Sequence, residues 1–148
     1  DTYDVDGKLK YADPLTIDEV AIQFRKVKFV IAHLGNPWIH SAAEVIYKNP
    51  NVYADVSALL VGDISKLSSS EVDEYVVKPI RWAFGYISDP TKLMYGTDFP
   101  LANMKPYLAA VKQAIPKEHW AKVFYENAMY VFKFPRSETK QALSGIKK

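Results

Sequence analysis

Lys28-Phe29-Val30-Ile31-Ala32-His33 is a short run of aromatic, β-branched and aliphatic residues that closes on a histidine. Two runs of the same make follow, Asn51-Val52-Tyr53-Ala54-Asp55-Val56 and Lys92-Leu93-Met94-Tyr95-Gly96-Thr97-Asp98. Each is largely apolar on both faces, as a strand covered on both sides should be, and each has polar residues at or just after its C-terminal end. Helical patterns stand around them: Thr16 to Arg25, where Thr16 with Glu19 makes a capping-box pattern, Pro37 to Lys48, Val72 to Tyr86 with Pro79 as a kink, Asn103 to Ala114, and Pro116 to Phe132. This alternation predicts an α/β fold with a parallel sheet. Strands that begin near residues 28, 52 and 92 lie about 32 residues apart on average, close to the roughly 31 per unit of an eight-fold βα barrel of about 250 residues.

Composition narrows the function classes. Of 148 residues, 49% are hydrophobic and 24% charged, the balance of an ordinary globular domain. Nineteen Lys and Arg against 17 Asp and Glu give a net charge of only +2, and the charges are scattered, so neither nucleic acid nor a membrane surface is an expected partner. No run approaches the roughly 18 apolar residues of a spanning helix, and the start has neither a basic nor an apolar leader pattern, so a cytoplasmic location is expected. With no cysteine there is no disulfide scaffold, no thiolate nucleophile and no Cys-based zinc site. Any metal must use His, Asp or Glu. Residues 1–134 read as one domain and the polar residues 135–148 as a surface tail.

The chemistry-bearing residues are picked out by position. His33 and Asp98 each stand at the C-terminal end of a predicted parallel strand, the edge where barrels of this kind gather their active sites. Alternation places Phe29, Ile31 and His33 on one face of the first strand, and Met94, Gly96 and Asp98 on one face of the last. With those faces taken as the barrel interior, both polar groups point into one mouth. Imidazole and carboxylate together suit a hard or borderline divalent cation, which makes water nucleophilic near neutral pH. On spacing alone, His33 as a strand cap and Asp98 as a helix cap remain open.

Val30-Ile31-Ala32-His33-Leu34-Gly35, Val52-Tyr53-Ala54-Asp55-Val56-Ser57, Leu93-Met94-Tyr95-Gly96-Thr97-Asp98-Phe99-Pro100 and Glu126-Asn127-Ala128-Met129-Tyr130-Val131-Phe132 resemble the sixth, seventh and eighth strands and closing helix of the amidohydrolase superfamily. The branch they are most similar to is the "amidohydrolase 2" group of metal-dependent hydrolases and decarboxylases, over about residues 1–134. The resemblance implies the C-terminal part, about strands 6 to 8, of a (β/α)8 TIM barrel. It makes Asp98 the strand-eight metal ligand and proton shuttle. It makes His33 the strand-six histidine that ligates a second metal or hydrogen-bonds the attacking water or substrate. The family's His-x-His on strand one has no counterpart, because the histidines are His33, His40 and His119. The strand-five histidine is expected just before Asp1.

The implied cofactor is a divalent metal, zinc or manganese, which this piece alone need not retain. Asn36 and Trp38, on the loop after His33, are candidate substrate contacts, with core packing as the alternative for the indole. Ser57 is a third candidate, since Tyr53, Asp55 and Ser57 share one strand face and Ser57 lies nearest the mouth. His40 and His119 read as ordinary surface or capping residues, Arg81 as solvated and Trp82 as core. The expected function is hydrolysis of a small-molecule ester, lactone or amide. Decarboxylation by the same site, or a noncatalytic half-barrel interaction module, are the alternatives. Alone, the piece is expected to be inactive, with an interior including Phe29, Ile31 and Met94 left open, and to form a homo-oligomer or associate with the missing N-terminal half.

Overall fold

The computed structural model describes residues 5–133. The expected boundary between domain and tail at residue 135 lies outside them. Three parallel strands, β1 (Phe29–Ile31), β2 (Val52–Asp55) and β3 (Leu93–Met94), lie side by side in chain order. Val30 is paired with Tyr53 and Asp55 with Met94. Helix α1 (Leu15–Gln23) precedes β1, and α2 (Ile39–Lys48) joins β1 to β2. The connection to β3 is helical from α3 (Ser69–Val72) through a π-turn at Asp73–Val77 into α4 (Lys78–Ile87). After β3 come α5 (Met104–Ala114) and α6 (Asn127–Phe132).

The strands are shorter than their sequence runs because each chain turns out of the sheet once it reaches the polar end. The Thr16–Glu19 capping box does not form. Asp13 Oδ1 accepts the Leu15 N–H at 2.9 Å, and the Thr16 hydroxyl donates back to the Asp13 carbonyl at 2.8 Å. The capping box sits instead at Ser68 and Glu71, which start α3. Pro79 acts on its helix from one turn away: its ring clashes with the carbonyl four residues earlier, at Tyr75, and the π-turn spans that residue.

The two faces of the sheet are sharply separated. Ile31, Val52, Ala54 and Leu93, with Phe29 beside them, pack into the main core under the helices, where Ile46, Ile80 and Val111 are also fully buried. Val30, Tyr53 and Met94 form a second cluster with Ala128 and Val131 of α6. Phe29 and Ile31 therefore face the helical layer, against the expectation that they line the barrel interior. Val30 takes that place beside Met94, and Met94 is not left open as expected: it is 2% exposed, covered by α6. A three-residue strand apolar on both sides gives alternation no phase to report.

At the N-terminal edge of the sheet, buried polar side chains bind backbone. Lys92 donates to the carbonyls of Asn49, Pro50 and Val52 at 3.2, 2.8 and 3.2 Å, and its burial holds the ammonium below the usual lysine range. Asn51 closes the end of α1 by donating to the Ala21, Phe24 and Val27 carbonyls, and Asn127 donates to Pro90 and Leu93. Asp18 ties α1 to the end of α2, accepting from Lys48 at 2.6 Å and Asn49 at 2.7 Å. At the other edge Tyr107 of α5, fully buried, donates to the Val56 carbonyl at 2.7 Å and accepts the Leu59 N–H at 3.1 Å. Among the described residues no helix is long and apolar enough to cross a membrane.

Two measurements check these ties. Tyr107→Phe strands a buried N–H and a buried carbonyl, so it should lower unfolding free energy by about 1–3 kcal/mol in urea titration; an unchanged midpoint would contradict the clamp. The Lys48 hydrogen bond, foremost among the causes, holds the Asp18 carboxyl below its ordinary value. Its stabilisation is present above the unfolded pKa of about 3.9 and fades as pH falls through the lower folded value. Asp18→Asn should flatten that part of the acid limb in melts taken below about pH 5.

Candidate active site

All three strands run toward the same edge, and each leaves it through a non-glycine residue in left-handed conformation: His33 after β1 (φ 56°), Ala58 after β2 (φ 42°) and Asp98 after β3 (φ 58°). Leu34 (φ 53°) and Gly35 (φ 68°) continue the first of these turns. Such backbone costs on the order of 1–3 kcal/mol per residue and persists only where surroundings enforce it. Here it redirects side chains. By strand parity His33 would follow Phe29 and Ile31 toward the helices, but the turn sends Leu34 into the core, fully buried, and brings His33 over the sheet edge. Gly35 is required at the pivot, because a Cβ there would stand 2.6 Å from Pro14 Cγ and 2.7 Å from Ala42 Cβ.

His33 meets the end of β2 and the residues just after it in three places. Its N–H donates to Asp55 Oδ1 at 3.1 Å, and its Nδ1 lies 2.8 Å from Ser57 Oγ and 3.2 Å from the Ser57 carbonyl. Asp55 Oδ1 also accepts the Ser57 N–H at 3.0 Å and the Ser57 hydroxyl at 2.5 Å, which ties the two β2-side partners to each other. Gly96, two residues after β3, makes room for this pair: a Cβ there would lie 3.2 Å from Ser57 Cβ and 3.9 Å from Asp55 Cβ.

His33, Asn36, Trp38 and Asp98 all line one cleft of about 840 Å³ at this edge, walled by apolar side chains that include Leu59, Leu60 and Leu101. Asp98 is exposed there, and Trp38 is half-buried. Asn36 donates to the Leu59 carbonyl at 3.3 Å, joining the loops after β1 and β2. Ser57 stands apart from its neighbours in the candidate set. It is buried, lies outside the cleft lining, and its hydroxyl is engaged by Asp55 and His33. Asp55 is the residue that sequence reasoning passed over, although its place two residues before Ser57 on the same strand face was visible. His40 and His119 lie away from the cleft, His40 against Trp82 and His119 against Phe84. Trp82 is 41% exposed rather than core, because the aromatic face it forms with Tyr86 turns outward from α4. Arg81 donates to the Gln113 carbonyl at the end of α5.

His33 offers a nitrogen donor and Asp98 an oxygen donor of the kinds zinc accepts. Among the described residues no three His, Cys, Asp or Glu side chains converge as a metal-binding group. The donor chemistry fits a divalent cation, while the donor number is that of part of a site.

A parallel sheet under helices, with polar side chains gathered at the C-terminal ends of its strands, defines a partial (β/α)8 barrel. The amidohydrolase family profile matches residues 3–134, and the chain belongs to that family. No curated protein matches it. Among solved structures it is similar to an amidohydrolase from Burkholderia multivorans crystallised with bound zinc (TM-score 0.66, 17% identity, covering 80% of this chain and 48% of that one). A second crystal form of that amidohydrolase, with bound HEPES, gives a TM-score of 0.65 at 16% identity, covering 80% and 49%. A TIM-barrel protein from Bordetella bronchiseptica follows (TM-score 0.61, 20% identity, covering 85% and 41%). The chain spans about half the length of these structures or less.

Gly35→Ala should destabilise by about 2 kcal/mol or more, from overpacking together with left-handed strain, and should shift the His33 loop. Chemical denaturation with amide chemical-shift mapping reads both; a change below about 0.5 kcal/mol would show that the pivot does not need glycine.

Proposed function

We propose that this chain supplies the Asp98 and His33 side of the active site of a metal-dependent hydrolase, one that sets water against an ester, lactone or amide bond of a small molecule. The observation that carries the reading is the convergence of His33 and Asp98 in one cleft at the C-terminal sheet edge, in a chain of the amidohydrolase family. Zinc is the favoured cation: the donors suit it, and a structure of similar fold was crystallised with it. When bound, it would supply Lewis acidity toward water and the substrate carbonyl. Asp98, exposed to the cleft, takes the proton of the attacking water and passes it to the leaving group. His33 orients that water. Asn36 and Trp38 border the substrate, and Ser57 contributes by holding His33.

The cleft walls that this chain supplies are largely apolar, which suits a small-molecule substrate carrying apolar groups. The remaining metal ligands come from the rest of the barrel. Two donors are fewer than the three protein ligands of a catalytic zinc, so the isolated chain should lose zinc on dialysis and show no turnover.

In the protein carrying the complete barrel, Asp98→Ala should abolish turnover of an ester and lactone panel and lower zinc content. His33→Ala should reduce kcat by about 10²–10⁴-fold, the usual range for a lost proton-handling or water-orienting group. Retained hydrolysis in the Asp98 variant, or stoichiometric zinc in the dialysed isolated chain, would contradict this assignment.

A further inference from the structure

His33 Nδ1 faces two oxygens of one residue, the Ser57 carbonyl at 3.2 Å and Ser57 Oγ at 2.8 Å. A carbonyl oxygen only accepts, so the nitrogen turned toward it carries the hydrogen. The hydroxyl supports the same assignment independently. Ser57 Oγ lies 2.5 Å from Asp55 Oδ1 and gives its single hydrogen to that oxygen, which leaves only lone pairs for the imidazole. The same Oδ1 receives the backbone N–H groups of Ser57 and of left-handed His33. Asp55 is not among the residues lining the cleft, so whatever it does there it does through His33.

We propose that Asp55 is a positioning residue: acting through Ser57, it fixes His33 as the Nδ1–H tautomer, so that Nε2 remains a bare acceptor on a side chain that lines the cleft. This rests on the reading of His33 as a working group of that cleft. A metal ligand or a water-orienting acceptor needs the Nε2 lone pair, and the hydrogen bond made by one ring nitrogen decides what the other can offer. An aspartate that only braced the loop would need no more than the two backbone N–H groups. The hydroxyl relay is what reaches the ring.

The test is long-range ¹H–¹⁵N NMR of the histidine-labelled chain, at a pH where the imidazole is neutral, which reads each ring nitrogen separately. In the unsubstituted chain the Nδ1–H form of His33 should exceed the Nε2–H form by about tenfold, the ratio set by one hydrogen bond of ordinary net strength. Asp55→Ala frees the Ser57 hydrogen to turn toward Nδ1, and the Nε2–H form should rise several-fold. Asp55→Asn keeps an oxygen for the three donors and should restore the original ratio, which a purely charge-based role would not. Where Asp55→Ala folds it decides the matter. Where it does not, Ser57→Ala decides it, with a rise in Nε2–H again expected. A dominant Nε2–H form in the unsubstituted chain, or an unmoved ratio in the deciding variant, overturns the proposal. Full activity of His33→Ala in the complete barrel would instead overturn the functional reading, leaving the tautomer result intact.

Discussion

The arrangement depends on one backbone constraint: at the C-terminal edge of the sheet the chain leaves every strand through a left-handed residue that is not glycine. A parallel sheet by itself only brings strand ends to a common edge. The left-handed exits at His33 and Asp98 turn that coincidence into a cleft with a nitrogen donor and a carboxylate along one rim. Their strain is offset locally. Leu34 is locked in the core, Gly35 lets α2 and Pro14 close on the turn, and Tyr107 grips the backbone on both sides of Ser57 and Ala58.

The two sheet edges satisfy their polar groups in opposite ways. At the N-terminal edge Lys92, Asn51 and Asn127 donate to backbone carbonyls and so tie the strand starts to the neighbouring loops and helix ends. At the C-terminal edge side chains meet one another: Asp55, Ser57 and His33 form a chain of hydrogen bonds that ends in the cleft. A (β/α)8 barrel divides its two ends in the same sense, with active sites at the C-terminal edge of the strands.

Much of this was legible in the sequence. Three apolar runs at barrel spacing indicated the strands, their order and their parallel sense, and their polar ends marked the edge where the cleft opens. The face assignment of β1 was not legible, since Phe29, Val30 and Ile31 are all apolar and parity carries no signal in such a strand. His33 reached the expected cleft by a different route, a left-handed turn that its sequence does not advertise. The capping box at Thr16 lost to Asp13, which offers the helix start a nearer acceptor. Asp55 and Ser57 were visible as a pair on one face. That Ser57 would turn to its own neighbours depended on the position of His33, a contact across 24 residues that no local pattern encodes.

Whether Asp98 and His33 form one side of a metal site on this edge is read by anomalous diffraction at the zinc edge from crystals of the complete barrel grown with zinc. A peak is expected within about 2.2 Å of the Asp98 carboxylate, on the side of the cleft that His33 lines. A zinc ion held elsewhere, with the Asp98 carboxylate making no contact to it, would show that Asp98 is not a metal ligand.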